Sequence, residues 1–388
     1  MTTRIIIASR IYAPEVSATS ALLQSWATEF RDRGCDVTVL TTTPPPGLAL
    51  NDPAGIRVIR KRVLRDRQRY VRGYLSYMSF DVPLFFRLLF SKRPALYVVE
   101  PPPTTVAVVR IVAGLKRRPY VVDAADLWSD AAAMATNSRF VLWALRTVEL
   151  WGLRGARHLF AAHQPLIDRF RELGTNSPAT PIGFGADTEA FAFEEQPALE
   201  APLLVYAGTH SEWHGAGIFL DAFAEVEPRH PGAILWFIGN GQDREKLKAQ
   251  TERLGLKHAV QFSAPISPVE LSPILSRATT SLASLKPKQG YDYAFTTKVY
   301  SSLAAGCPVV FAGVGPTVPF LAESENSHVG EAVEYDSDAV ALAMERAIAS
   351  SPPPAVRAEL SAWARNKYSL ASIAQRVVAT SLGLVGPE

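Results

Sequence analysis

Cysteine is almost absent. Cys35 and Cys307 are the only two in 388 residues, far apart in the chain and outside any CxxC or metal-ligand spacing. A disulfide framework and a structural zinc are therefore not expected, and each thiol reads as a small buried side chain. Long apolar runs are missing too. Stretches such as Val82 to Phe86 and Val106 to Val109 fall far short of a membrane-crossing helix. Ile5 to Ala8 is likewise too short for the apolar segment of a secretory signal, so a cytoplasmic protein is expected. No turn completes GxGxxG, because Gly239-Asn240-Gly241 and Gly313-Val314-Gly315 each lack the third glycine, which argues against a dinucleotide oxidoreductase.

What is present is an ordinary globular balance, 48% hydrophobic and 20% charged, which excludes wholesale disorder. The length is more than one core usually serves, and two domains are expected, over 1–190 and 200–365. The net charge of +3 hides an uneven distribution: residues 1–190 carry 25 Lys and Arg against 16 Asp and Glu, and the remainder 15 against 21. Between Arg57 and Arg72 there are eight basic residues and one acid, Asp66, followed by Tyr74, Tyr77, Met78, Phe80, Phe85 and Phe86. Two readings stay open, a solvated surface beside a core segment or a patch, including Arg60, Lys61, Arg62 and Arg65, that lies on an anionic membrane. No recognition module accompanies the charge, so nucleic acid is not an expected partner.

Short, continuous, β-branched runs recur with helical stretches between them. Arg4 to Ala8, Asp36 to Leu40, Ile56 to Arg60, Ala95 to Val99, Tyr120 to Val122 and His158 to Ala161 read as strands buried on both faces of a parallel sheet. After Asp187 the pattern lapses through Phe193 to Pro197, a predicted linker. It then restarts at Leu203 to Ala207, Ile234 to Ile238, Val260 to Ser263, Ser281 to Leu285 and Pro308 to Phe311. Such alternation predicts two Rossmann-like doubly wound domains facing each other across a deep cleft, with ligands at the carboxyl ends of the strands. Ser361 to Leu384 reads as a helix pair whose last part, about 366–388, returns to the first domain. Asp336-Ser337-Asp338 spells DxD, but its place before a helix makes it a cap, so no metal is implied.

The most informative constellation lies between Tyr206 and Gly306. One strand ends in Gly208-Thr209 and another in Gly239-Asn240-Gly241. The stretch from Tyr291 to Lys298 opens a helix through Thr297 and Lys298 toward Gly306. Glycine- and threonine-bearing loops at strand ends, with a lysine at a helix start, suit a diphosphate held without a metal.

In order and spacing these residues resemble glycosyltransferase family 4, retaining enzymes of the GT-B fold that take a sugar from a nucleotide diphosphate. Arg4 to Thr41 resembles the family's opening strand, Pro-Glu loop and second strand, and Gly185-Ala186-Asp187 resembles its interdomain NGVD. Asp126-Leu127-Trp128 and Thr297-Lys298-Val299 are most similar to a bacterial subgroup of cell-surface polysaccharide assembly.

The resemblance implies a UDP-sugar donor, a lipid-linked or saccharide acceptor, and a protein cytoplasmic or peripheral on the inner membrane face, with no cofactor. Lys298 would stabilise the departing diphosphate, the other reading being a surface lysine that opens a helix. Asp126 would touch the sugar or acceptor hydroxyl, the other reading being a helix cap. Pro265 and Ile266 would line the base pocket through backbone contacts, which suit uracil and also admit guanine.

Departures are visible as well. Thr209 and His214 stand where the family offers Arg and Lys, so a conditional histidine charge replaces a permanent one. Tyr293 and Ser301 stand at its paired glutamates, and Val16-Ser17-Ala18-Thr19 replaces its first-domain glycines. A non-catalytic binding or scaffold relative, and a nucleotide-sugar epimerase on the same fold, therefore remain alternatives.

Overall fold

The computed structural model describes the chain apart from residues 1, 16, 49, 51, 67–70, 72, 136–137, 198, 290–291 and 386–388 and the side chains of 134–135. Val16, Arg72 and Tyr291, named above, and Arg67 and Arg69, counted there among the eight basic residues, lie outside the described residues. The chain forms two compact units, Met1–Gly185 with Leu370–Glu388, and Ala186–Ser369.

Unit 1 alternates strand and helix: β1 (Arg4–Ala8), α1 (Ala18–Asp32), β2 (Asp36–Thr42), β3 (Ile56–Lys61), α2 (Tyr74–Phe90), β4 (Leu96–Val99), α3 (Pro103–Lys116), β5 (Tyr120–Ala124), α4 (Trp128–Ala135), α5 (Arg139–Arg154), β6 (His158–Ala161), α6 (Gln164–Glu172) and β7 (Ala179–Pro181). The sheet is parallel throughout, in the order β3-β2-β1-β4-β5-β6-β7. Every residue of β4 and β5 is buried, as expected of strands covered by helices on both faces. Phe80, Leu84 and Leu88 of α2, Val106, Val109 and Val112 of α3, and Leu153 of α5 cover one face. Trp26, Phe30 and other residues of α1 cover the opposite face.

Unit 2 continues with β8 (Leu203–Ala207), α7 (Ile218–Val226), β9 (Ile234–Ile238), α8 (Arg244–Arg253), β10 (Val260–Ser263), α9 (Pro268–Arg277), β11 (Thr280–Leu285), α10 (Lys298–Ala304), β12 (Val309–Gly313), α11 (Thr317–Ala322), β13 (Gly330–Val333), α12 (Ser337–Ala349) and α13 (Pro354–Tyr368). Its parallel sheet runs β10-β9-β8-β11-β12-β13, so the order reverses between β8 and β11. That reversal parts the flanking loops and leaves a crevice beyond the strand ends. Phe219 and Phe223 of α7 pack with Val340 and Met344 of α12 against Leu282 and Val310 of the sheet.

The stretch after Asp187, predicted as a linker, is irregular but belongs to unit 2. The N–H groups of Ala192 and Phe193 donate to Ser272 Oγ (3.2 Å) and Ser361 Oγ (3.1 Å), and Phe191 is buried. The last helix, α14 (Leu370–Gly383), belongs to unit 1, where Ile373, Ala374, Val377 and Val378 join the core under α1 and Ser25 Oγ donates to Leu370 O (3.0 Å). Asp336 is the N-cap of α12 and accepts from Ala339 N–H (3.0 Å), which is the cap role its position predicted.

Candidate functional site

The loops after β8 and β9 are laced together beyond their strands. Gly208 N–H donates to Ile238 O (2.9 Å), His210 N–H to Asn240 O (2.9 Å) and Asp243 N–H to His210 O (3.1 Å). Backbones this close leave no room for a side chain. A Cβ on Gly239 would run into the Gly208 carbonyl, and its φ of +150° is one that L residues rarely adopt. Asn240 closes the turn by accepting from Gly241 N–H (2.9 Å) through Oδ1.

Lys298 is the first residue of α10, and its side chain folds back over the loop after β8. Its Nζ donates to Tyr206 Oη (3.1 Å), lies 4.2 Å from the centre of that ring, and would sit 2.9 Å from a Cβ placed on Gly208. Tyr206 in turn donates to Thr209 O (3.0 Å). Among the described residues no carboxylate pairs with the ammonium, and burial lowers its pKa to about 7. A half-buried cation without a counter-charge is poised for an anion. Because α10 is only seven residues long and Thr297 makes no side-chain cap bond, the side chain rather than the helix dipole carries the positive charge here. Thr297 is exposed and Ser301 lies one turn on, half-buried.

His214 differs from its expected role. Its Nδ1 shares a 2.7 Å hydrogen bond with Ser211 Oγ, its ring stacks on Trp213 at 3.6 Å, and burial together with Lys298 pushes its pKa down to about 3. In the free protein it is a neutral group. Two residues that sequence reasoning missed lie nearby. His210 is fully buried with neither ring nitrogen hydrogen-bonded, and burial, Arg244 and Lys298 lower its pKa to about 4. Arg244, three residues past Gly241, donates to the carbonyls of Gly239 and Ser263, bringing a second cation to the same loops. An arginine opening a helix after Gly-Asn-Gly was the one available signal. Pro265 and Ile266 lie between β10 and α9 at the carboxyl end of the strand beside β9, exposed and half-buried.

Asp126 belongs to unit 1. It lies exposed just past β5, and partial burial of its carboxyl still raises its pKa. The helix-cap reading fails: the N–H groups of Trp128 and Ser129 are taken by Glu149, at 2.7 and 3.0 Å. Behind Asp126 stand two buried acids. Glu100, which accepts from Ser9 Oγ (3.0 Å), is raised by burial to about 7, and Asp123, with Oδ2 unpartnered, is raised further by burial and by Glu100 and Asp126.

The structure divides the proposed basic patch. Arg60 grips Asp52 through two 2.6 Å bonds and donates to Ala13 O (2.8 Å). Arg65 holds Glu15 (2.8 Å), Thr42 Oγ1 (3.0 Å) and Thr43 O (2.8 Å). Both guanidinium groups tie chain segments together, because paired forks bind carboxylates more firmly than they bind a mobile surface. Lys61 and Arg62 remain exposed.

Residues 19–185 match the family model described as a glycosyl transferase 4-like domain, and residues 201–350 the one described as glycosyl transferases group 1. No curated protein matches the chain. Among solved structures, HepE from Anabaena in complex with UDP is 16% identical with a TM-score of 0.69, over 99% of this chain and 100% of that one. Sucrose-phosphate synthase from Thermosynechococcus elongatus is 16% identical with a TM-score of 0.70, over 98% and 99%. The lipopolysaccharide outer core galactosyltransferase WaaB is 11% identical with a TM-score of 0.70, over 98% and 100%. At such identities the likeness is one of fold, and two parallel α/β units matching these structures define the GT-B class. With both of its family models matched in order, the chain belongs to the glycosyltransferases of family-4 type.

Proposed function

We propose that the protein transfers a sugar from a nucleoside diphosphate donor, a UDP-sugar, to a lipid-linked or saccharide acceptor with retention at the anomeric carbon, in the assembly of a cell-surface glycan. The observation that carries the donor reading is the Lys298 ammonium, without a carboxylate partner among the described residues and pressed against Gly208 where glycine loops meet at the strand ends. The complexes of HepE with UDP and with UDP-glucose support the choice of donor.

When the glycosidic bond breaks, negative charge moves onto the diphosphate. Lys298 and the N–H groups of the Thr209 and Gly241 loops would receive it, in place of a metal ion, and preorganised donors of this kind commonly supply several kcal/mol. Arg244, which donates to the carbonyls of Gly239 and Ser263, would offset their negative ends near the incoming anion. Neutral His214 contributes shape and a hydrogen bond rather than charge. Ser301, on the turn after Lys298, would meet the ribose, and Pro265 and Ile266 the base. Asp126 would accept a hydrogen bond from an acceptor or donor hydroxyl.

Calorimetry with UDP, UDP-sugars and GDP-sugars tests the donor. Binding of a UDP-sugar is expected, and silence of all of them at millimolar concentration would return the protein to the scaffold reading. Retention is read from the anomer formed, by NMR of the product, and inversion would overturn that part.

A further inference from the structure

Building on the donor reading above, we infer that the sugar transferred is a hexuronic acid, its carboxylate received by Lys286 with Lys288 beside it. The sheet of unit 2 sets the opening in which that sugar would sit. β8 and β11 are paired at Leu204–Thr280 and Val205–Ser281. Past those pairs, Tyr206 and Ala207 on one side and Leu282 to Leu285 on the other run on outside the ladder, so the strands part toward their carboxyl ends where the sheet order reverses. Lys298 reaches the β8 side of this opening, where its Nζ meets Tyr206 Oη and Gly208. Lys286 stands on the other side as the first residue past β11, and its N–H donates to Trp213 O (2.9 Å) in the loop after β8. Its side chain starts against that same loop. A Cβ placed on Gly215 would lie 3.0 Å from Lys286 Cβ and would collide with Tyr335 Oη, so glycine at this position leaves room for the lysine stem.

Charge selects the sugar. The stretch from Lys286 to Lys298 carries three lysines and one acid. That acid, Asp292, is turned onto its own loop, its two carboxylate oxygens accepting from Lys288 N–H at 3.1 and 3.4 Å. Among the described residues no carboxylate pairs with the side chain of Lys286, which is half-buried, or of Lys288, which is exposed. The diphosphate has other partners in Lys298 and the N–H groups of the Thr209 and Gly241 loops. Arg244 is occupied with the carbonyls of Gly239 and Ser263, and His210 and His214 carry no charge in the free protein. Lys286 is thus the half-buried cation of this opening that the diphosphate leaves over. A neutral hexose would offer it hydroxyls alone, whereas a carboxylate at C6 supplies a counter-charge and a charge-assisted hydrogen bond. Lysine suits the contact, because its ammonium is a compact point charge on a flexible stem that can follow a carboxylate carried one carbon off the sugar ring.

The test is calorimetry on the full chain with UDP, UDP-glucose, UDP-glucuronic acid and UDP-galacturonic acid at one ionic strength. The wild type is expected to bind one of the two uronic acid nucleotides at least about tenfold more tightly than UDP-glucose. Lys286→Gln should bring that ratio to within about twofold of one, and Lys286→Glu should invert it. The wild-type ratio needs no variant, so a substitution that fails to fold leaves the test in force. A wild type that binds UDP-glucose as tightly as either uronic acid nucleotide overturns the inference and leaves the donor site standing. So does a Lys286→Gln variant that weakens UDP, UDP-glucose and the uronic acid nucleotides by one common factor, since the lysine then serves the diphosphate. Silence of all four nucleotides would remove the donor site itself, and the uronic acid with it.

Discussion

Donor binding should take up a proton. Lys298 is held near pKa 7 by burial in the free protein, and an incoming pyrophosphate supplies a counter-charge, which pulls its pKa back up toward the ordinary lysine range. From that starting value the side chain is about three-quarters protonated at pH 6.5 and only about 3% protonated at pH 8.5. If the charged form binds, affinity for a sugar nucleotide falls roughly 25-fold over this interval, about 2 kcal/mol. A sugar nucleotide is preferable to free UDP because its phosphates do not titrate in the window. His214, near 3, and His210, near 4, are neutral throughout it. Calorimetry in buffers of different ionisation enthalpy should report about one proton taken up at pH 8.5 and about a quarter of one at pH 6.5. Lys298→Met should bind weakly and without the slope. Affinity that changes less than about threefold, with no proton uptake, or a Lys298→Met variant that keeps the slope, would refute the reasoning.

Further outcomes follow from the same geometry. Lys298→Ala should lower turnover by about 10²-fold or more, measured under saturating donor, because its charge is used as the leaving group departs. The same residue weighs on stability in the opposite sense. Its folded pKa lies below its unfolded value of 10.5, so the cost of the buried charge is full below about pH 7 and is relieved as pH rises toward 10.5. Lys298→Met should therefore stabilise the protein at or below pH 7 by roughly 2 to 4 kcal/mol in urea titrations. Glu100, raised from 4.5 to about 7, makes the native state the better proton binder between those values, so wild-type stability should fall as pH rises through that window. Glu100→Gln should remove up to about 3 kcal/mol of that fall, read from melts at pH 5 and pH 8. Gly239→Ala forces a side chain into the Gly208 carbonyl. It should cost on the order of 1 to 3 kcal/mol of stability and most of the donor affinity, which calorimetry and urea titration report separately.

Most of the strands were legible in the sequence, including the partly buried edge strands β3 and β10, which were expected to be buried on both faces. β1, β4, β8 and β9 are continuous apolar runs because helices cover both sides of a parallel sheet, and that pattern is local. β7 and β13, of three and four residues, and the six-residue α11 left no such trace, since they are short and only partly buried or owe their form to what they pair with. In the candidate site, Gly208, Gly239, Gly241 and Lys298 were legible because each follows a predicted strand or opens a predicted helix. His210 and Arg244 were not, because their significance comes from the bonds that draw two loops into register, Gly208 to Ile238 and His210 to Asn240.

Chain order and hydrophobic period were enough for two α/β domains, the strand-end loops and the uneven charge, since those follow from neighbouring residues alone. Electrostatic state required the folded molecule. Whether a guanidinium is free or already gripped, as with Arg60 by Asp52, and whether a histidine is charged, as with His214 beside Ser211 and Lys298, depends on groups distant in sequence and on water excluded by packing. The aromatic residues of α2 and α5 were visible as letters from the start. Which of them face outward was decided only when one side of each helix was committed to the sheet, leaving Phe90 and Trp143 in solvent.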